Sequence, residues 1–192
     1  MADIPSANED ISNDGSITAI MTTVPRWFDR KFEFVFPVEQ FPNLCARLRG
    51  TPARLEEIAR SSSREALVRK PNSKWSAQEH AGHLLDLEPL WMQRVEDFLS
   101  DRNELTAADL SNRKTDEARH NERPIDEILK AFRQEREKLL DRARTIELSS
   151  ASRAILHPRL KQPMRLVDHL FFAAEHDDHH LARMWELLHI SA

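Results

Sequence analysis

The clearest helix signal in the chain is the stretch WSAQEHAGHLLDLE, residues 75–88. Ser76 and Glu79 have the spacing of a capping box, in which each side chain binds the other residue's backbone N–H, and Trp75 stands where a hydrophobic staple would pack. Apolar residues continue beyond this stretch at helical spacing. Pro89 lies inside the pattern and removes one backbone hydrogen bond, so we expect a kinked helix here.

Upstream of this stretch, the chain is predicted to turn helical from Phe41. Thr51 and Pro52 resemble a new helix start, with Thr51 as the N-cap and Pro52 at the first helical position. The sequence therefore predicts that this first helix is interrupted near Gly50.

Downstream of it, two further helices are predicted, one from Pro124 and one from near Pro163 to His189. The intervening residues 101–123 are polar and aperiodic, and long loops of this kind are often lids or binding loops. Residues 148–162 are predicted to form another loop. Four helices joined by loops are expected to pack as an up-down four-helix bundle, an all-α fold in which metal sites are built from side chains on facing helices.

The N-terminal part of the chain differs from the rest. Residues 1–20 are small, acidic and aperiodic, which predicts a disordered tail before a single domain over 21–192. Phe32, Phe34 and Phe36 alternate with other residues just after this tail. We interpret this segment as an extended aromatic arm, because no second strand is evident for it to pair with.

Composition narrows the class of protein. Hydrophobic residues make up 40% and charged residues 31% of the 192, which is typical of a globular chain. The net charge of −4 and the lack of a basic cluster argue against nucleic acid as a partner, and no apolar run is long enough to span a membrane. The chain has only three glycines and no glycine-rich nucleotide-binding motif. It has one cysteine and no signal-peptide core, which predicts a cytoplasmic protein.

Histidines provide the strongest functional signal. His176 and His180 are four residues apart on the last predicted helix, so both imidazoles leave the same helix face, whereas His179 points about 100° away. His83, on the second predicted helix, can supply a third nitrogen, and three protein ligands leave a position open for substrate. Asp86 is a candidate to hold an imidazole N–H. Such a pair also arises by chance, so solvated or core histidines remain the alternative.

These two histidine segments resemble those of the DinB/YfiT-like family of metal-dependent enzymes, which is distinct from the DNA polymerase of the same name. The resemblance rests on WSAQEHAGHLLDLE followed by AEHDDHHLAR and extends from about Phe41 to Leu188. It implies a four-helix bundle, commonly a homodimer, that holds one divalent metal ion through His83, His176 and His180. Zinc, nickel or iron would suit three imidazoles.

The same resemblance implies an activity on a small molecule. Family members include transferases and an isomerase that use low-molecular-weight thiols, so we expect a metal-dependent transferase that uses such a thiol at an open coordination position. The alternatives are a metal-dependent hydrolase and a non-catalytic dimeric helical module with a structural metal.

Five further residues are candidates within this hypothesis. Arg159, Lys161 and Arg165 form a basic patch near the start of the last helix that could receive the carboxylates of a thiol cofactor. A solvated loop is the alternative interpretation of that patch. His169 and His120 are candidate catalytic proton carriers.

Overall fold

Four long helices carry the fold in the computed structural model, which describes residues 23–70 and 74–189. They are α1 (Phe41–Arg60), α3 (Ala77–Asp97), α5 (Ile125–Arg144) and α7 (Leu166–His189). Helix α1 packs against α5 and α7, and α3 packs against the same two helices. The predicted four-helix bundle is confirmed, and its order around the ring is α1, α5, α3, α7, which places consecutive long helices α1 and α3 at opposite corners.

Short elements occupy the connections between these helices. They are one-turn helices and a two-stranded antiparallel hairpin, in which Ile155 lies opposite Met164. The elements are α2 (Arg64–Val68), α4 (Arg113–Glu117), α6 (Leu148–Ala151), β1 (Ile155–Leu156) and β2 (Pro163–Met164). Helix α7 begins three residues after the predicted Pro163 because this proline belongs to the hairpin.

Helix α1 runs without interruption, so the predicted break near Gly50 is wrong. Thr51 does not cap a new helix: its hydroxyl is buried and donates a hydrogen bond of 2.9 Å to Asp177 Oδ2 on α7. Pro52 is accommodated inside the helix. Helix α3 likewise continues through Pro89. Among the described residues, no helix combines the length and the apolar character that a membrane span requires.

A buried charged cluster joins all four long helices. Arg136 of α5 donates hydrogen bonds of 2.6 Å to Asp177 of α7 and of 2.6 Å to Glu88 of α3. It also donates to the backbone carbonyl of Leu48 on α1, and Thr51 of the same helix binds Asp177. Burial opposes the charge of Arg136, but the two carboxylates together raise its pKa above the ordinary value. Because Asp177 follows His176, this cluster fixes the helix register beside the histidines.

The predicted aromatic arm is extended and packs along α7. Phe32 is buried against Phe172, with ring centroids 5.1 Å apart. Phe34 and Phe36 both contact the ring of Phe171. The predicted tail, residues 1–20, lies outside the described residues.

Charged pairs outside the core attach the arm and α1 to α7. Arg30 of the arm pairs with Glu175, and Arg47 of α1 pairs with both Glu175 and Asp178. Arg54, about two turns further along α1, donates to Asp178 at 2.7 Å. The arm is therefore held to α7 by aromatic packing and by the ion pair of Arg30 with Glu175.

Candidate metal centre

Three buried histidines converge between α3 and α7. One ring nitrogen from each of His83, His176 and His180 lies within 4.8 Å of the others. The Nε2 atoms of His176 and His180 are 3.1 Å apart, as expected for imidazoles one turn apart on the same helix face. The cluster inferred from histidine spacing is therefore present.

Two of the three rings are held through their other nitrogen. Nδ1 of His83 lies 3.0 Å from Thr115 Oγ1, and Nδ1 of His180 lies 2.8 Å from Nδ1 of His80. Each contact occupies the nitrogen on one side of the ring and leaves Nε2 available as a ligand. Histidine ligands of metals are commonly oriented by a hydrogen bond of this kind.

The environment keeps these histidines neutral. Burial lowers the pKa of His83 to about 4 against the opposing effect of Asp86. Burial and the neighbouring histidines hold the pKa values of His176 and His180 well below the ordinary value. Neutral imidazole is the form that binds a metal ion. Tetrahedral Zn–N bonds of about 2.0–2.1 Å would place ligand nitrogens about 3.3 Å apart. The 3.1 Å between the Nε2 atoms of His176 and His180 is close to this value, so the donor set fits a divalent ion.

A chain of hydrogen bonds extends outward from His83. Its Nδ1–H can donate to Thr115, whose hydroxyl donates to Asp86 Oδ2 at 3.0 Å. Nε2 of His120 lies 2.8 Å from the same carboxylate oxygen. Burial would raise the pKa of Asp86, but the hydrogen bonds from His120 and Thr115 hold it below the ordinary value. A Cβ atom at Gly82 would overlap the His120 ring, so a glycine is required for this packing.

A cavity of about 520 Å³ adjoins the three histidines, which form part of its wall. This volume is within the range of small-molecule sites. Residues 107–110, from the segment predicted as a lid or binding loop, line one side. Five aromatic side chains line much of the remainder, namely Trp27, Phe28, Trp75, Trp91 and Phe172.

The predicted basic patch does not face this cavity as a unit. Arg159 lines the cavity. Lys161 is exposed, and its Nζ lies 3.3 Å from Glu104 Oε1. Arg165 is paired with Asp168 at 2.8 Å. Only the first of the three is placed to contact a ligand in the cavity.

The predicted proton carriers lie behind the cavity wall. His169 is fully buried and donates from Nε2 to the backbone carbonyl of Trp91 at 3.2 Å. His120 is buried against Asp86. His179, predicted to point about 100° away from His180, is half-buried, lines the cavity and lies against Trp27, with ring centroids 5.7 Å apart.

Several residues at the site were missed from the sequence. Arg94 and Trp91 follow His83 on α3 and line the cavity, and Thr115 comes from a distant short helix. His80 and His83 lie on adjacent turns of one helix, and this spacing predicts that only one of them points at the last helix. The rings of both lie beside His180, with centroids 5.0 and 4.7 Å away.

Comparisons with known proteins agree with this architecture. The sequence model of the DinB superfamily matches residues 47–184. A solved structure with a similar fold is YfiT from Bacillus subtilis, described as a probable metal-dependent hydrolase with an unusual four-helix bundle topology. The TM-score is 0.70 and the identity 19%, over 82% of this chain and 91% of that chain, which shows a shared fold. A search of curated proteins gave no match. Since the family match spans well over half of the chain, the protein belongs to the DinB superfamily.

Proposed function

We propose that the protein is a metal-dependent enzyme in which His83, His176 and His180 hold one divalent metal ion. The observation that carries this proposal is the convergence of three buried, neutral imidazoles at the wall of a cavity. Three imidazoles suit zinc, nickel or iron. With three protein ligands, a position stays open, as in catalytic rather than structural sites.

The surrounding residues support chemistry on a small molecule. When bound, the metal would supply Lewis acidity that lowers the pKa of a water or thiol. Thr115 and His80 orient two of the ligand rings, and aromatic side chains give the cavity apolar walls. His179, at the cavity wall, is available to contact the substrate.

For the reaction class, we propose transfer of a low-molecular-weight thiol to an electrophilic substrate. The support is the resemblance of the histidine segments to a family that contains such transferases. Hydrolysis is the second candidate, favoured by the description of YfiT as a probable metal-dependent hydrolase. The homodimer and the cytoplasmic location stay predictions from the sequence.

Metal content tests the site. Elemental analysis of untagged protein should find a full equivalent of one divalent metal per chain. His176→Ala should lose it, because the remaining two imidazoles bind a metal much more weakly. His189→Ala, which changes an exposed histidine of α7, is the matched control and should retain the metal. Equal metal content in wild type and His176→Ala would contradict the proposed ligand set.

Two assays on the metal-loaded protein separate the reaction classes. Conjugation of 1-chloro-2,4-dinitrobenzene is measured with glutathione, cysteine and other small thiols, and nitrophenyl ester hydrolysis is measured without thiol. Thiol-dependent turnover that His176→Ala abolishes supports transfer. Ester hydrolysis with no thiol-dependent rate above that of the protein-free reaction would replace transfer by hydrolysis.

A further inference from the structure

Arg94 brings a buried positive charge to the cavity wall without an ion-pair partner among the described residues. The residue is 2% exposed and its side chain lies against the Trp91 ring, with Cζ 5.4 Å from the centroid. Nε donates to the backbone carbonyl of Thr106 at 2.9 Å, and Nη1 lies 3.2 Å from Nε2 of His157. These neighbours hold the guanidinium in place but carry no negative charge.

Arg159 brings a second guanidinium to the same cavity, and aromatic rings surround it. Its Cζ lies 5.4–5.9 Å from the ring centroids of Trp27, Phe28 and Phe172. Its Nη2 is buried without a hydrogen-bond partner in the part of the chain that the structure describes. A buried donor without a partner is costly, and an oxygen of a bound ligand would satisfy it.

The carboxylates near this pair form their hydrogen bonds elsewhere: the buried Asp97 accepts from the N–H and the hydroxyl of Thr106. Burial lowers the pKa of Arg94 to about 10, with Asp97 opposing and Arg159 adding to the shift, so the group stays charged at neutral pH. Burial and both arginines lower the pKa of His157 to about 3, so this histidine stays neutral between them. Asp109, also at the cavity wall, is exposed, and its carboxylate accepts hydrogen bonds from Ser111.

We propose that Arg94 and Arg159 bind a carboxylate of the substrate, while the aromatic walls hold its apolar body. Guanidinium groups match carboxylates in shape and charge, especially where water is excluded. The anion chemistry and the aromatic lining together point to a small arylalkyl or other apolar carboxylic acid.

The position of the two arginines relates the carboxylate to the metal centre. Trp91 contacts both Arg94 and His176, and its ring centroid is 5.5 Å from that of the histidine. Trp27 contacts both Arg159 and His176, with ring centroids 5.0 Å apart. Each guanidinium therefore shares an aromatic neighbour with His176 in one cavity, so a ligand held by the arginines would lie beside the histidines. The proposal that the bound carboxylate belongs to a substrate rests on the proposed function. Binding of a carboxylate by the two arginines does not itself require the metal.

Binding of a matched ligand pair tests the proposal. Calorimetry on the full chain compares 3-phenylpropanoate with its neutral amide, 3-phenylpropanamide, before and after metal removal by a chelator. The acid should bind about tenfold or more tightly than the amide in both states, because it adds charged hydrogen bonds. This preference should weaken with added salt. Arg159→Gln should remove the preference, measured as the ratio of the two affinities, while the metal content stays unchanged. Lys161→Gln, which alters an exposed neighbour, should keep the preference.

Two results would overturn the proposal. One is equal affinity of the wild-type protein for the acid and the amide, a measurement that needs no variant to fold. The other is a preference that survives in Arg159→Gln but disappears with the metal, since the metal would then be the carboxylate's partner. If the wild type binds no metal at all, the proposed function fails, whereas the chelator-treated measurement still decides the carboxylate site.

Discussion

Thr115 links the histidine cluster to Asp86, and its hydroxyl can be removed with little change of shape. Thr115→Val should lower metal affinity about 10–100-fold, because His83 loses the group that orients its ring. Competition with a chromophoric chelator measures this. Thr145→Val, at the exposed end of α5, is the matched control and should leave the affinity unchanged. Equal affinities in both variants would mean that Thr115 does not orient the ligand.

Gly82 and Gly50 are both helical glycines, but their surroundings are opposite. A Cβ at Gly82 would overlap the His120 ring, whereas one at Gly50 would meet nothing within 4 Å. Gly82→Ala should therefore lower the free energy of unfolding by about 1–3 kcal/mol, as overpacking does. Gly50→Ala should raise it by about 0.5–1 kcal/mol through helix propensity. Urea denaturation measures both changes, and stabilisation by Gly82→Ala would contradict the packing described.

At the residue scale, what the sequence could predict depended on whether the geometry is local. His176 and His180 could be placed together because a helix fixes the positions of residues four apart. Thr115 and Arg94 could not be assigned to the site, since their roles depend on how separate segments pack. The same limit explains why Lys161 and Arg165 were grouped with Arg159 from sequence proximity, although only Arg159 lines the cavity.

At the scale of the helices, the charged cluster around Arg136 makes them dependent on one another. Arg136→Met should lower the free energy of unfolding by about 3–5 kcal/mol, because Glu88 and Asp177 would stay buried without their cation. Arg142→Met is a matched control: its pair with Glu96 joins the same two helices, α5 and α3, but is 36% and 40% exposed. Arg142→Met should lower the free energy of unfolding by at most about 1 kcal/mol. Similar losses in both would show that the buried cluster contributes no more than a surface pair.

The same cluster explains why a local helix signal failed. Thr51 and Pro52 have the residue types of a helix start, yet α1 continues because the Thr51 hydroxyl binds Asp177 on another helix. The predicted loop over 101–123 contains α4, the short helix that carries Thr115 to His83. Elements this short have too little periodicity to be predicted from the sequence.

At the scale of the whole molecule, helix number and helix order differ in how far they could be predicted. Apolar periodicity identifies four helices. It also predicts that they form a bundle, because each helix must bury its apolar face against another helix. It does not say which helix covers which face. The order α1, α5, α3, α7 brings α3 beside α7, and with it His83 beside His176.

Buried neutral histidines should also make the whole fold sensitive to acid. Burial lowers the pKa values of His157 and His169 to about 3, with nearby Arg94 adding to both shifts. Below about pH 6.5 the unfolded chain binds protons at these histidines and the folded protein does not. The free energy of unfolding should therefore fall as pH falls from 6.5 to 5, by about 1.4 kcal/mol per pH unit for each such histidine.

Urea denaturation of the metal-free protein across this pH range measures the effect. His169→Gln keeps a donor near the Trp91 carbonyl and should give a shallower pH dependence than the wild type. His189→Gln, which changes an exposed histidine, is the control and should leave the pH dependence of the free energy of unfolding unchanged. A flat profile in the wild type would contradict neutral burial of these histidines.

The placement of the four tryptophans gives the protein a built-in optical reporter. Trp75 lies 4.7 Å from the His83 ring, and Trp27 and Trp91 lie 5.0 and 5.5 Å from that of His176. Trp185 is exposed and stacks on His189 instead. Three of the four tryptophans therefore lie beside the histidines. Nickel or another open-shell ion bound there would quench their emission strongly, whereas closed-shell zinc would not, so fluorescence alone could follow the loading and exchange of metal in the unlabelled protein.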